Sequence, residues 1–407
     1  MGEGLPDESW TTRPSYGVID WRIGTHDQGQ YYDPFVGLFQ AMGRSPVAAV
    51  NFFNPADGAG RAQGEEVADR VGYFVDDRGT SPDDLACVAG ALDAAAGHFH
   101  RTSASAGDQA RSAWVASATV HSFAERGGTT DGAAGAMARL LGRYITDVDR
   151  IANSDWRGTV GVYDLTPSPW HVGLPVGADM SSADMRAVLG GVLADEDAAG
   201  VLGAKAARWN AYRLDWAADH STIGDLDGLQ TAVENGARLN GFLLGVAGAD
   251  LEAKASQADA GVKSMLSVLG SLRGLVRTNP ATSVALGAVV GQAQTAATDA
   301  WATSAEDIAA ENLTVRDTAA ADYMIGVVQV LEAHDLIDPA DLRWGDGAVP
   351  SFMTPDGVND HAADSPQMRE DIRLWLDTVQ SEGLPRDLRD EASKGHEDGD
   401  AWARRDE

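Results

Sequence analysis

The stretch YYDPFVGLFQAMGRSPVAAVNFF (31–53) decides the fold class. Asp33-Pro34 supplies an N-cap residue followed by proline at the first helical position, where its missing N–H costs nothing. Phe35, Leu38, Phe39 and Met42 then recur at i, i+3, i+4 and i+7, one apolar face of a helix. Gly43 ends that helix. Ser45-Pro46 starts a second by the same device, with Val47, Val50 and Phe53 on its face. The spacing predicts a helix–turn–helix hairpin whose two apolar stripes require a partner, and none of these side chains is of a catalytic type.

The same period continues outward. Val67, Val71 and Phe74 mark a helix from Glu65 to about Asp76, and Pro82 opens another with Leu85, Val88 and Leu92. Trp114, Val115, Ala118, His121 and Phe123 define a third, beyond which the Gly-rich turn Arg126-Gly-Gly-Thr leads to a fourth through Met137, Leu140, Leu141, Tyr144, Ile145 and Val148. Residues 157–180, with their prolines and glycines, read as an inter-domain linker in which TVGVYDL is the one short strand. Ser181 or Ser182 then caps a helix carrying Met185, Val188, Leu189, Val192 and Leu193. Leu202, Lys205, Trp209, Tyr212 and Trp216 form a heptad seam, and Leu226, Leu229, Val233, Gly236, Asn240, Leu243 and Ala247 form another. Tyr323, Val327, Val330 and Leu331 mark one more helix, and Ser365-Pro366 begins the last, with Met368, Ile372, Trp375 and Val379. The expected fold is all-α: a polar arm (1–30), a helical domain (31–156), the linker (157–180), a second helical bundle (181–337), and a loop, one helix and an acidic, disordered tail (338–407).

Composition narrows function by exclusion. The 407 residues include 61 acidic and 31 basic side chains, a formal net charge of −30. Phosphate backbones and anionic membrane surfaces call for clustered Lys and Arg, so nucleic acid is not an expected partner. Cys87 stands alone, which rules out an internal disulfide or a CxxC metal cage; it reads as a small buried hydrophobe. The opening MGEGLPDESW lacks the basic and apolar regions of a secretory signal peptide. Localisation is therefore expected to be cytoplasmic, or exported by a signal-peptide-independent route. No run reaches eighteen consecutive apolar residues.

No catalytic, cofactor or metal residue emerges. His98 and His100 lie two apart, which on a helix points them in different directions, and they read as exposed or capping. His396-Glu-Asp-Gly-Asp lies in the charged tail, where it offers at most weak cation binding. Asp195-Glu-Asp197 and Asp225-Leu-Asp227 begin like calcium loops and then fail, since neither has a Glu at the twelfth position. GxSxG, GxGxxG and Walker-type GK[ST] motifs do not occur, so no cofactor is expected. Trp156-Arg-Gly158 and Tyr73-x3-Asp77 match the W-x-G and Y-x-x-x-D patterns of type VII secretion substrates, in reversed order. In the apolar segment 264–293, Gly270/Gly274 and Gly287/Gly291 form two G-x-x-x-G pairs suited to close helix packing or membrane insertion. Each arm is shorter than a bilayer span, and Arg273 and Arg277 would sit in or near the hydrocarbon, so a buried soluble hairpin is preferred over a membrane one.

Three stretches resemble a family of helical proteins from Streptomyces-type actinobacteria: DPFVGLFQAMGRSPVAAVNFF (33–53), GAMARLLGRYITDVDRIAN (135–153) and ADMSSADMRAVLGGVLADEDAAGVLGAKAARWNAY (178–212). The shared features are the Asp33-Pro34-x3-Leu38-x2-Ala41-Met42-Gly43 opening, the Phe52-Phe53 pair, Tyr144-x2-Asp147-Val148-x-Arg150, and Leu189-x2-Val192-Leu193. The resemblance covers roughly residues 30–330 and implies a place beside type VII (WXG-type) secretion or polymorphic-toxin loci. It carries over no catalytic residue. The resulting expectation is a non-enzymatic interaction protein with a protein partner. A membrane-inserting or pore-forming effector using 264–293 is the alternative, and a hydrolase with an unrecognised site is the next.

Overall fold

The computed structural model describes residues 34–56, 63–77, 82–154, 157–163, 170, 174–222, 225–253, 323–337, 348–354, 357–358, 367–368, 371, 374–375 and 384–404. These are predominantly helical. By contact density the chain divides into two compact units: residues 1–147 with 155–192, and 148–154 with 193–407.

The first unit opens with α1 (Pro34–Gly43) and α2 (Pro46–Phe53), as the two Pro starts predict. Their partner is α4 (Pro82–His98), on which both pack. Gly43 at the end of α1 lies against the α4 backbone at Gly90. Phe39, Phe53 and Phe74 are fully enclosed, with ring centroids 5.0–6.5 Å apart. Burying such a ring stabilises by roughly 1.5–3 kcal/mol. Two residues of the expected stripes face outward instead: Leu38 and Val47, the latter 51% exposed. On α2 the enclosed face is Ala49, Val50 and Phe53, so a small alanine replaces Val47 against the neighbour. Phe74 comes from a π-turn, Tyr73–Asp77, that extends α3 (Gln63–Gly72). The Tyr73-x3-Asp77 pattern is thus part of a wound helix end.

Helix α5 (Ala106–Glu125) is capped by Ser105, whose side chain accepts from the Asp108 amide at 3.2 Å. It ends at Gly127 and Gly128, both in the left-handed region (φ +96° and +104°) that favours glycine. The Gly128 amide donates to Phe123 O at 2.8 Å. This tight turn touches α8 (Ser182–Ala194): a Cβ on Gly128 would strike the Ala187 carbonyl, and one on Gly191 the Thr129 carbonyl. Ser181 is the residue that caps α8, accepting from the Asp184 amide at 3.0 Å.

Two expectations are corrected in this unit. The helix through Met137 and Val148 is two, α6 (Asp131–Arg143) and α7 (Ile145–Ala152), broken at Tyr144. The break aims the Tyr144 hydroxyl at Ala96 O, to which it donates at 2.9 Å, a bond a continuous helix would not direct there. The stretch 157–180 lies within the first unit and contains an antiparallel ribbon, β1 (Arg157–Tyr163) with β2 (Gly177–Ser181), bulged between Arg157 and Gly161. It packs on α5, where the Ser117 hydroxyl bonds the Asp179 carbonyl.

The second unit contains α9 (Glu196–Asp219), capped by Asp195 onto the Ala198 amide at 2.8 Å, and α10 (Asp227–Ala253). Residues 239–247 of α10 are buried on every side, the condition of a central helix. Of the α10 seam, Leu229, Val233, Gly236, Asn240, Leu243 and Ala247 are enclosed, while Leu226 is half-buried and precedes the helix. The α9 seam does not hold as read. Lys205 is exposed and Tyr212 is 39% exposed, while Ala206, Ala207, Asn210 and Arg213 are buried. Helical residues 323–333 (α11) bury Tyr323, Val327, Val330 and Leu331. Two-residue strands β3 (Met353–Thr354) and β4 (Gly357–Val358) form a second small ribbon. Trp375 is buried with its ring edge-on to Phe352 at 5.8 Å.

The largest correction is at the carboxyl end. The charged tail is a 20-residue helix, α12 (Leu384–Ala403), packed along α10.

Candidate functional site

Two arrangements in the second unit concentrate polar and close-packed residues. The first begins on α9, where Asn210 and Arg213 lie one turn apart on the same face. The Arg213 side chain is 0% exposed. Its Nη1 donates to both carboxylate oxygens of Asp149 on α7, at 2.9 and 2.8 Å. Its Nη2 donates to Asn210 Oδ1 at 2.5 Å, and Asn210 Nδ2 donates to Asn240 Oδ1 on α10 at 3.0 Å. The Tyr323 hydroxyl of α11 donates to Val233 O at 3.0 Å. Burial raises the Tyr323 pKa above the ordinary phenol range, with Arg213 pulling the other way. Gly236 makes the room: a Cβ there would run into the Tyr323 ring oxygen and crowd the Arg213 guanidinium.

Taking this charge pair out of water costs several kcal/mol per ion before relaxation by partners. The cost is offset only where nearly every polar atom is bonded, which is the case here except at Arg213 Nε. A cluster of this kind fixes which residues of four helices stand opposite one another. Its donors and acceptors are turned on each other, with a protonated tyrosine and an arginine paired to a carboxylate.

The second arrangement is the α10–α12 interface. Gly241-x3-Gly245 on α10 meets Gly395-x3-Gly399 on α12. A Cβ on Gly241 would collide with the His396 backbone, and one on Gly399 with the Arg238 carbonyl and the Phe242 amide. Successive contacts rise in number on both helices, Gly395 beside Glu234 and Ala403 beside Gly245, so the two run parallel. Polar ties flank the seam: Arg238 to Asp398 at 2.7 Å and Lys394 to Glu234 at 3.0 Å. The Trp402 indole donates to Ile151 O at 3.1 Å. The hydrogen bond and charge of Glu234 raise the Lys394 pKa.

In the first unit, Asp93 of α4 accepts from Arg139 Nε at 2.9 Å and also pairs with Arg143. Gly97 admits the Arg143 guanidinium, which a Cβ would block. His121 of α5 ties to Asp184 of α8, Nδ1 to Oδ2 at 2.9 Å. His100, expected to be exposed or capping, is instead half-buried beside Tyr144 with its Nδ1 enclosed, and burial lowers its pKa to about 4. His396 is buried within α12, so it does not form a loose acidic cation site. Cys87 is half-buried and accepts from Gln40 Nε2 at 3.6 Å.

The four glycines singled out in the sequence, Gly270, Gly274, Gly287 and Gly291, lie outside the described residues, as does Trp156. Among the described residues, the pairs 241/245 and 395/399, of the same spacing, bring two helices together. Asn240 fell on a predicted seam, but Asp149, Asn210 and Arg213 gave no hydropathy signal. Among the described residues no group of three or more His, Cys, Asp or Glu side chains is placed to hold a metal ion. Among them also, no helix is long and apolar enough to cross a membrane.

Residues 7–406 match a family of unknown function, DUF6571. The chain belongs to that family. No curated protein and no solved structure shows significant similarity to it. The match takes in both units, so the Asp149–Arg213 cluster and the α10–α12 seam both lie inside the family region.

Proposed function

We propose that this DUF6571 member is a non-enzymatic helical interaction protein that works beside a type VII secretion or toxin system. One observation carries the non-enzymatic part: the densest polar constellation, Asp149–Arg213–Asn210–Asn240, is enclosed between helices and bonded to itself. The same use of polar groups recurs at Asp93–Arg139–Arg143 and at His121–Asp184. Polar side chains spent on helix register leave the helical surfaces as the working parts. The secretion context rests on the resemblance of the 33–53, 135–153 and 178–212 stretches, and the strong acidity favours a partner with a basic face.

The test uses purified full-length chain and the separately purified products of its neighbouring genes. A defined complex with one of them, seen by light scattering and weakened by rising salt, supports the reading. Turnover of a hydrolase substrate panel by the purified protein would overturn it, and leakage from liposomes would transfer support to the membrane-inserting alternative.

A further inference from the structure

Where α4 ends, His98-Phe99-His100 leads into a loop held on α5: the Phe99 amide donates to Ser112 Oγ at 3.1 Å, and that hydroxyl donates to Ala95 O at 2.9 Å. The His100 ring is thereby pressed onto Tyr144, at the break between α6 and α7, with centroids 4.0 Å apart and planes tilted by 34°. Its Nδ1 is buried without a hydrogen-bond partner, while the ring also bonds the Arg143 backbone. We infer that His100 is an acid-sensitive latch on the α4–α6 joint of the first unit: neutral, it closes the joint on Tyr144, and protonation opens it.

Ionisable groups stand on each of the elements around the loop. From α4 come Asp93 and His98, from the loop Arg101, from α5 Asp108 and Arg111, from α6 Arg139 and Arg143, and from the bend and α7 Tyr144 and Asp147. Asp93 is committed to two arginines. Burial keeps the Tyr144 hydroxyl protonated, with Asp147 adding to the effect. The proton would therefore enter a site walled by the Tyr144 phenol and the Arg143 backbone, with burial as the main force that holds it off. Neighbouring His98 is held down too, first by burial and then by Arg101 and Arg111.

The sign follows from linkage. A histidine at about 4 when closed and 6.5 when opened leaves the joint fully stable above 6.5. As pH falls from 6.5 to about 4 the opened form binds the proton that the closed form refuses, and the penalty is constant below that. The opening equilibrium should rise about tenfold per pH unit across that window, and by roughly two orders of magnitude in total.

Hydrogen exchange on the full chain reads this at residues 93–101 and 140–147, corrected for intrinsic rates, between pH 7 and 4.5. Wild type should open progressively, and His100→Gln and His100→Phe should lose that slope. Carboxylate protonation common to all three cancels in the comparison. Histidine ring NMR on the wild type serves independently of whether the variants fold. Equal slopes in all three proteins, or a His100 ring that titrates near 6.5, would overturn the inference.

Discussion

Single residues decide how much of the polar interior can be changed. Tyr323→Phe keeps the ring and removes only the bond to Val233 O, so its expected cost is about 1 kcal/mol in chemical denaturation. Gly236→Ala is expected to cost more despite its smaller chemical change, about 1–3 kcal/mol, because the new methyl group meets the Tyr323 oxygen and the Arg213 guanidinium. Combining Gly236→Ala with Tyr323→Phe should recover part of that loss, since the obstructing oxygen is gone. Independent addition of the two costs would show that Tyr323 is not the neighbour that resists. Asn210 and Arg213 illustrate why the sequence hid this cluster: a hydropathy pattern assigns them to water, whereas α9 turns them inward and exposes Tyr212 and Lys205. Burial of a polar residue depends on a partner distant in sequence, here Asp149 at 64 positions' separation.

At the scale of elements, caps and apolar periods were readable and the glycine-mediated contacts were not. Pro34 and Pro46 announce α1 and α2 because their fixed φ suits a first helical turn. Helix α12 carries no comparable apolar stripe. Its buried positions are Leu388, Ala392, Gly395, His396, Gly399 and Ala403, a helical face built mostly of small residues. The Gly395-x3-Gly399 spacing was the available signal, together with its counterpart Gly241-x3-Gly245 on α10. Gly399→Leu is expected to force the two backbones apart at Arg238 and Phe242 and to destabilise the second unit by about 3 kcal/mol. Ser393→Ala, on an exposed position of the same helix, should change stability by less than about 0.5 kcal/mol. Similar small effects from both substitutions would argue against a docked α12.

For the whole molecule, the predominance of helix follows from the 3.6-residue period and the scarcity of two-residue alternation. The first ribbon strand was legible in TVGVYDL, but its partner at 177–181 escaped because the pairing depends on docking to α5, including the Gln109 side chain that accepts from the Val176 amide at 2.9 Å. The functional reading depends on the buried polar cluster serving as a lock between helices. A double-mutant cycle on Asp149 and Arg213 examines that role through unfolding free energies of the full-length protein. Asp149→Leu and Arg213→Met should each cost about 3–5 kcal/mol, since each strands a buried charge, while the double variant should regain most of that loss. Simple additivity of the two losses, or single variants as stable as wild type, would contradict a locked Asp149–Arg213 pair.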